Sequence, residues 1–215
     1  MAGSTVGLVR GGRRGRLAGI IALIVVAAAL AISIGAWRFV ANAQPRLTGT
    51  SLDKRPAPDF RLHDTSGNVY TLEQFRGKAV VLTFLYTNCT DACPLTAELL
   101  RHADEAAGHP KNVVYVAISV DPAGDTAENI AAFDQKHHLE ELGSRWKYLV
   151  GSQQSLDGVW RAYGIYAPAQ PIDAGAPDHT TGIYLLDKQG RERAFTDVDI
   201  TAEDLARDAL ILARQ

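Results

Sequence analysis

AVVLTFLYTNCTDACP, residues 79–94, decides how the chain folds. Residues 79–86 form an unbroken apolar, β-branched and aromatic run, the pattern of a strand buried on both faces of a sheet. A short polar loop follows at 87–92. Pro94 then opens a predicted helix reaching residue 107, with leucines at 95, 99 and 100 and Gly108 as terminator. Strand, loop and helix in that order begin an α/β unit, and in such sheets chemistry gathers where strands end. The loop at this strand end carries both cysteines of the chain, Cys89 and Cys93.

Working outward, residues 113–120 (VVYVAISV) read as a second buried strand, closed by Asp121-Pro122. Asp125 with Glu128 reads as the cap of a helix running to about His138, 147–150 as a short strand and 153–163 as a further helix. Residues 182–187 and 191–195 flank Lys188-Gln189-Gly190 as a hairpin, and Thr201 opens a last helix. Upstream, Asp64-Thr65-Ser66-Gly67 turns between extended pieces at 60–62 and 68–70, and Thr71 to Gln74 fits a capping box ended by Gly77. Strands alternating with helices, with hairpins at either end, predict an α/β fold with a central mixed sheet flanked by helices.

The first 46 residues differ in kind. Residues 17–37 are uncharged, 18 of the 21 being apolar. As a helix they reach about 31 Å, against a hydrocarbon core of about 30 Å. Arg10, Arg13, Arg14 and Arg16 precede this stretch and only Arg38 and Arg46 follow it before the first acid, Asp53. That bias places the amino terminus in the cytoplasm and the folded part on the far side. Ala41-Asn42-Ala43 offers a competing signal-peptidase site, but the apolar run exceeds a usual signal core and Arg38 interrupts the approach. Either reading exports the domain. Arg13-Arg14 lies between Gly12 and Gly15, a poor match to a twin-arginine signal. Residues 39–58 lack periodicity and end in Pro56 and Pro58, the composition of a tether. The expected organisation is a basic cytoplasmic tail at 1–16, a transmembrane anchor or uncleaved signal at 17–37, a linker at 38–55 and one folded domain at 56–215.

The chain is 47% hydrophobic and 21% charged, which excludes a disordered or collagen-like polymer. From residue 47 onward 16 basic residues face 24 acidic ones, a balance that repels phosphate backbones and argues against nucleic-acid binding. Met1 is the only methionine, so no thioether-rich metal site is available.

Cys89 and Cys93 stand four residues apart, close enough for both sulfurs to face one point. Pro94 suits a first helical turn, which puts Cys93 at the amino end of a helix, where thiolate is favoured. Thiolate serves two chemistries equally, nucleophilic disulfide exchange and ligation of a soft ion such as Cu(I). A stapling disulfide is the structural alternative, although a bridge closing so small a loop constrains the unfolded chain little. Of six histidines, His179 stands out, in a loop with Pro168, Pro171, Gly175 and Pro177 leading into a core strand. His63, His102, His109, His137 and His138 read as surface or helix residues.

Three motifs together, LTFLYTNCTDACP at 82–94, ISVDP at 118–122 and DHTTGIYLLDKQG at 178–190, resemble the Sco/SenC copper proteins of cytochrome oxidase assembly, over roughly residues 56–198. That resemblance implies a thioredoxin-like fold behind an amino-terminal anchor. It implies one copper ion, Cu(I) or Cu(II), held by Cys89, Cys93 and His179. Asp178 then stands where it could orient the ring, or simply form a turn. It further implies a copper-bearing subunit of cytochrome c oxidase as recipient and an upstream copper donor. The setting it implies is a single-pass inner-membrane protein with its domain in the periplasm, or the mitochondrial equivalent facing the intermembrane space. Residues 195–215 resemble the family only loosely. Copper delivery needs no catalytic turnover. The alternative from another class is a membrane-anchored thiol-disulfide oxidoreductase in which Cys89 and Cys93 cycle without metal. An ordinary thioredoxin differs in carrying C-x-x-C and a proline where Thr180-Thr181 stand here. Thr90 to Cys93 also echoes the T-x-x-C of peroxide-reducing enzymes, with Tyr86 where those place a proline.

Overall fold

A computed structural model describes residues 12–42, 46–167 and 181–215. The described residues of the amino-terminal unit contain one helix, α1 (Gly12–Asn42), within which Gly19–Arg38 is long and apolar enough to cross a membrane. Ile21, Leu23, Ile24 and Ile32 on it are exposed to solvent, as the side chains of a lipid-facing helix must be when no lipid is present. The helix runs five residues past Trp37, because Phe39, Val40 and Ala41 add no helix breaker before the first proline, Pro45.

Leu47–Gln215 forms a separate compact unit. Among the described residues its main sheet has six strands, β1 (Thr50–Ser51), β4 (Ala79–Leu85), β5 (Val113–Ser119), β6 (Trp146–Leu149), β7 (Ile183–Leu186) and β8 (Glu192–Thr196), with β2 (Arg61–His63) and β3 (Val69–Thr71) in a separate hairpin. The spatial order is β1-β8-β7-β4-β5-β6, with β4, β5 and β6 parallel and β7 antiparallel to β4. This is the mixed sheet expected. Every residue of β4 and β5 is buried, which is why both read as continuous apolar runs. Each large aliphatic side chain so buried contributes about 1.5–3 kcal/mol.

Helices α2 (Ala92–Ala106), α3 (Ala127–Lys136), α4 (Gln153–Ala162) and α5 (Ala202–Arg214) complete the fold. Helix α2 packs on α5, and α5 packs on β4 and β5. Ser152 and Thr201 cap α4 and α5 by accepting from the backbone N–H groups of Ser155 and Asp204. Gln74 accepts from the Thr71 N–H, one half of the expected capping box.

Three features depart from the sequence reading. Strand β1 lies inside the stretch read as tether, pairing Thr50 with Phe195 and Ser51 with Ala194. Helix α3 is capped by Thr126, whose hydroxyl accepts from Asn129, and Asp125 is drawn elsewhere. After α3 the chain turns through left-handed His138 into a 3-10 segment, Leu139–Arg145, with Gly143 at φ 58° and ψ −131°.

Asp134, on α3, has a buried oxygen with no hydrogen-bond partner among the described residues, and desolvation pushes its carboxyl up to about 6 from 3.8. The folded state therefore keeps this proton to about pH 6 while the unfolded chain releases it near 3.8, so stability falls as pH rises through that window. Asp134→Asn is expected to raise stability by about 1–2 kcal/mol at pH 7 and to change little at pH 4. Thermal melts at the two pH values check this, and an equal shift at both would count against a titrating Asp134.

Candidate metal centre

The parallel pairing of β4 and β5 brings two loops to one edge of the sheet: residues 86–91 with Cys89, and the turn that opens with Asp121. Cys93 is the second residue of α2 and is fully buried, while Cys89 is half-buried. Pro94 is the third residue of the first turn, where a missing N–H leaves nothing unsatisfied. Asp91, at the N-cap, makes no side-chain cap bond. The Cys93 N–H donates instead to Sγ of Cys89 at 3.3 Å. The sulfur of Cys89 thus stands where a serine or aspartate oxygen commonly caps a helix.

This corrects one expectation. The Cys93 thiol is pushed far above its ordinary value by its hydrogen bond with Cys89 and then by burial. Both cysteines are thiols in the structure.

The loop is held from behind by Asp125, which is 5% exposed. Its Oδ1 accepts from the Thr87 N–H at 2.7 Å and the Thr87 hydroxyl at 2.8 Å, and its Oδ2 accepts from Ser119 at 2.5 Å and Tyr148 at 2.9 Å. Burial raises its pKa despite these four donors. Asp121, also buried, accepts from the Gly124 N–H at 3.0 Å. Its carboxylate and the Asn88 amide crowd the place a Cβ on Gly124 would take, so a side chain there would have to push the Asp121 carboxylate aside. Asp121 is thus both a turn former and a neighbour of the cysteine loop.

The acids of this corner raise one another. Burial pushes up the Tyr86 phenol first, and the fields of Cys89, Cys93 and Asp121 push it further. Cys89 and Asp125 likewise add to the rise at Cys93. A cation set among them relieves that mutual repulsion, and two sulfurs make the corner fit a soft one. Among the described residues no group of three histidine, cysteine, aspartate or glutamate side chains converges on one point. His179 and Asp178 lie outside the described residues.

Of the other five histidines, His63, His102, His109 and His138 are exposed as expected. His137 is not. It is 6% exposed, its ring lies 4.6 Å from that of Phe133, and its Nδ1 is 3.2 Å from a Glu98 carboxylate oxygen. It also shares a pocket with Cys89. The sequence reading missed it because Glu98 is 39 residues away along the chain.

A family model described as SCO1/SenC matches residues 48–213. The protein named Protein SCO2 homolog, mitochondrial, from Bos taurus is 37% identical over 146 residues, covering 65% of this chain and 52% of its own. The chain thus spans about half the length of that relative. Bradyrhizobium japonicum ScoI, solved with copper bound, is similar at 29% identity with a TM-score of 0.58, over 74% of this chain and 99% of that one. A SCO1/SenC family lipoprotein from Bacillus anthracis is similar at 27% identity with a TM-score of 0.63, over 78% of this chain and 99% of that one. The mixed sheet with flanking helices is the thioredoxin-like arrangement these structures share. The family model spans the whole sheet, the cysteine loop and most of α5, and the chain belongs to the SCO1/SenC family.

Proposed function

We propose that this chain is a membrane-anchored copper metallochaperone that binds one copper ion through Cys89, Cys93 and His179 and delivers it to, or prepares, the copper centre of cytochrome c oxidase. The observation that carries this reading is the paired sulfurs at the end of β4, set among acids that raise one another. Topology supports the third ligand. Ile183, the first residue of β7, pairs with Thr83 near the end of β4, and the Thr83 hydroxyl donates to the Gly182 carbonyl at 3.0 Å. Position 179 precedes Thr181 by two residues, a link of at most about 7 Å. Thr181, the first described residue after it, stands at the edge of the sheet where the cysteine loop leaves it. The copper bound by the Bradyrhizobium japonicum relative supports the cargo.

On this reading residues 1–16 stay in the cytoplasm, 17–37 anchor the chain in an inner membrane, 38–55 form the linker, and the domain at 56–215 works in the periplasm or its mitochondrial equivalent. An upstream donor loads the site and the copper-bearing oxidase subunit unloads it, by exchange of ligands at an ion that keeps its charge.

The full chain in detergent is expected to take up one Cu(I), with two sulfur neighbours and one imidazole nitrogen by X-ray absorption. His179→Ala should remove the imidazole signal and weaken binding about 100-fold, roughly 2.7 kcal/mol. Unchanged affinity in that variant would refute the triad.

One observation favours a second reading, a thiol-disulfide reductase. Cys89 is half-buried with an amide at its sulfur, and Cys93 lies buried behind it, the layout of an attacking and a resolving thiol. In that cycle two thiols become one disulfide while a partner disulfide becomes two thiols. Turnover that survives His179→Ala but not Cys89→Ser would select it.

A further inference from the structure

Tyr86 directly follows β4 and meets both cysteines. Its carbonyl accepts from the Cys89 N–H at 3.3 Å. Its own backbone is hydrogen-bonded to the Cys93 sulfur, and its phenol to the Cys89 side chain. The residue is 3% exposed, so the phenol makes its bond away from bulk water, where a donor facing a charged sulfur counts for more. Packing alone does not call for the hydroxyl, because phenylalanine fills the same space with no polar atom to desolvate. A sulfur that ligates a metal has lone pairs and no proton, so with copper in place the O–H donates and the sulfur accepts. Cys89 then receives two donors, this O–H and the Cys93 N–H at 3.3 Å.

A donor aimed at a thiolate discriminates between the two states of copper. Sulfur bound to Cu(II) gives more of its charge to the metal than sulfur bound to Cu(I), and so accepts a hydrogen bond more weakly. Hydrogen bonding at a cysteine sulfur therefore tunes the potential of the copper it holds.

We propose that Tyr86 is a positioning residue whose O–H, donated to the Cys89 sulfur, biases the site toward Cu(I), so that the ion is held and handed on in its reduced state. The inference rests on the copper-handling reading and deepens it by fixing the charge of the cargo. Tyr86 touches no copper itself and acts through the electron density of the Cys89 sulfur.

The test uses the full chain in detergent, loaded in turn with Cu(I) and with Cu(II), each affinity being measured by competition with a chelator. Tyr86→Phe is expected to lower the ratio of Cu(I) to Cu(II) affinity about tenfold, equivalent to a fall of about 59 mV in the potential of the bound ion. The sulfur-to-Cu(II) charge-transfer absorption should move to longer wavelength, because a sulfur relieved of a donor gives charge more readily. If the unaltered chain holds Cu(I) alone, Tyr86→Phe should gain measurable Cu(II) binding. Tyr86→Leu, which removes the ring as well, controls for packing: it should weaken both affinities by a common further factor and leave the ratio where Tyr86→Phe puts it. A ratio that stays within about twofold in Tyr86→Phe, less than one hydrogen bond to a charged group supplies, overturns the proposal. A ratio that moves only in Tyr86→Leu traces the effect to the ring and overturns it too. If the unaltered chain binds neither state of copper, the copper reading itself fails. If it binds copper and the substitution moves neither ratio nor absorption, only the role of Tyr86 fails.

Discussion

Cys93→Ser is expected to weaken Cu(I) binding at least about 10⁴-fold, roughly 5.5 kcal/mol, while the protein remains folded. The size follows from what the substitution removes. One of two thiolates disappears, and the hydroxyl that replaces it is a hard donor that Cu(I) discriminates against. The site offers no substitute sulfur, because Cys89 and Cys93 are the only cysteines and Met1 the only methionine. Stability suffers far less. Serine is close in shape, and its hydroxyl can meet the Tyr86 backbone that the thiol now meets, so the cost should be about 1–2 kcal/mol. Cys89→Ser should abolish binding to a similar degree at smaller cost to the fold, because Cys89 is only half-buried. Competition against a Cu(I) chelator, paired with thermal melts, separates the two effects. A Cys93→Ser protein that keeps its affinity within tenfold would mean that copper sits elsewhere.

The asymmetry between the two thiols bears on which of them faces a partner. Cys93 is sealed in the core, with its proton held by its hydrogen bond to Cys89 and by burial. On the proposed reading an acceptor approaches copper from the Cys89 side, where among the described residues the loop is partly open.

Where burial imposes a continuous pattern, the sequence carried the fold plainly. The runs at 79–86 and 113–120 announced central strands because both faces of β4 and β5 are covered, and the hairpins and the Thr201 cap followed from side chains acting within a few residues. What stayed hidden depends on partners far along the chain. Strand β1 is two residues long, too short to show a period, and exists because β8 lies 145 residues on to receive it. His137 looked like a helix-end residue, and only the arrival of Glu98 and the Phe133 ring makes it a buried, oriented imidazole. Asp125 was read as the cap of α3, and Thr126 takes that place because donors at positions 87 and 148 draw Asp125 away. The cysteine pair was legible as chemistry, but which sulfur receives the helix amide was not, since that depends on how the loop folds back.

Asp125→Ala is expected to lower stability by about 3–5 kcal/mol, which for a domain of this size is a fall in Tm of roughly 8–16 °C. The carboxylate gathers four donors from three separate elements: the N–H and hydroxyl of Thr87 from the cysteine loop, Ser119 from the end of β5 and Tyr148 from β6. Alanine strands all four in a buried space, and an orphaned donor there costs more than an average hydrogen bond contributes. Hydroxyls can turn toward other acceptors, but the Thr87 N–H cannot, so the loss falls hardest on the loop that carries Cys89 two residues later. Cu(I) affinity should then drop about 10–100-fold in the folded variant, the range seen when support behind metal ligands is removed. Asp125→Asn separates charge from connectivity. Burial already pushes this carboxyl toward its neutral form, so the neutral amide gives up little, and its oxygen can still accept from Thr87. It should cost only about 1–2 kcal/mol and leave copper affinity within a few-fold. An Asp125→Ala protein that melts within 2 °C or so of the unaltered chain would show that the loop is held by something other than this carboxylate.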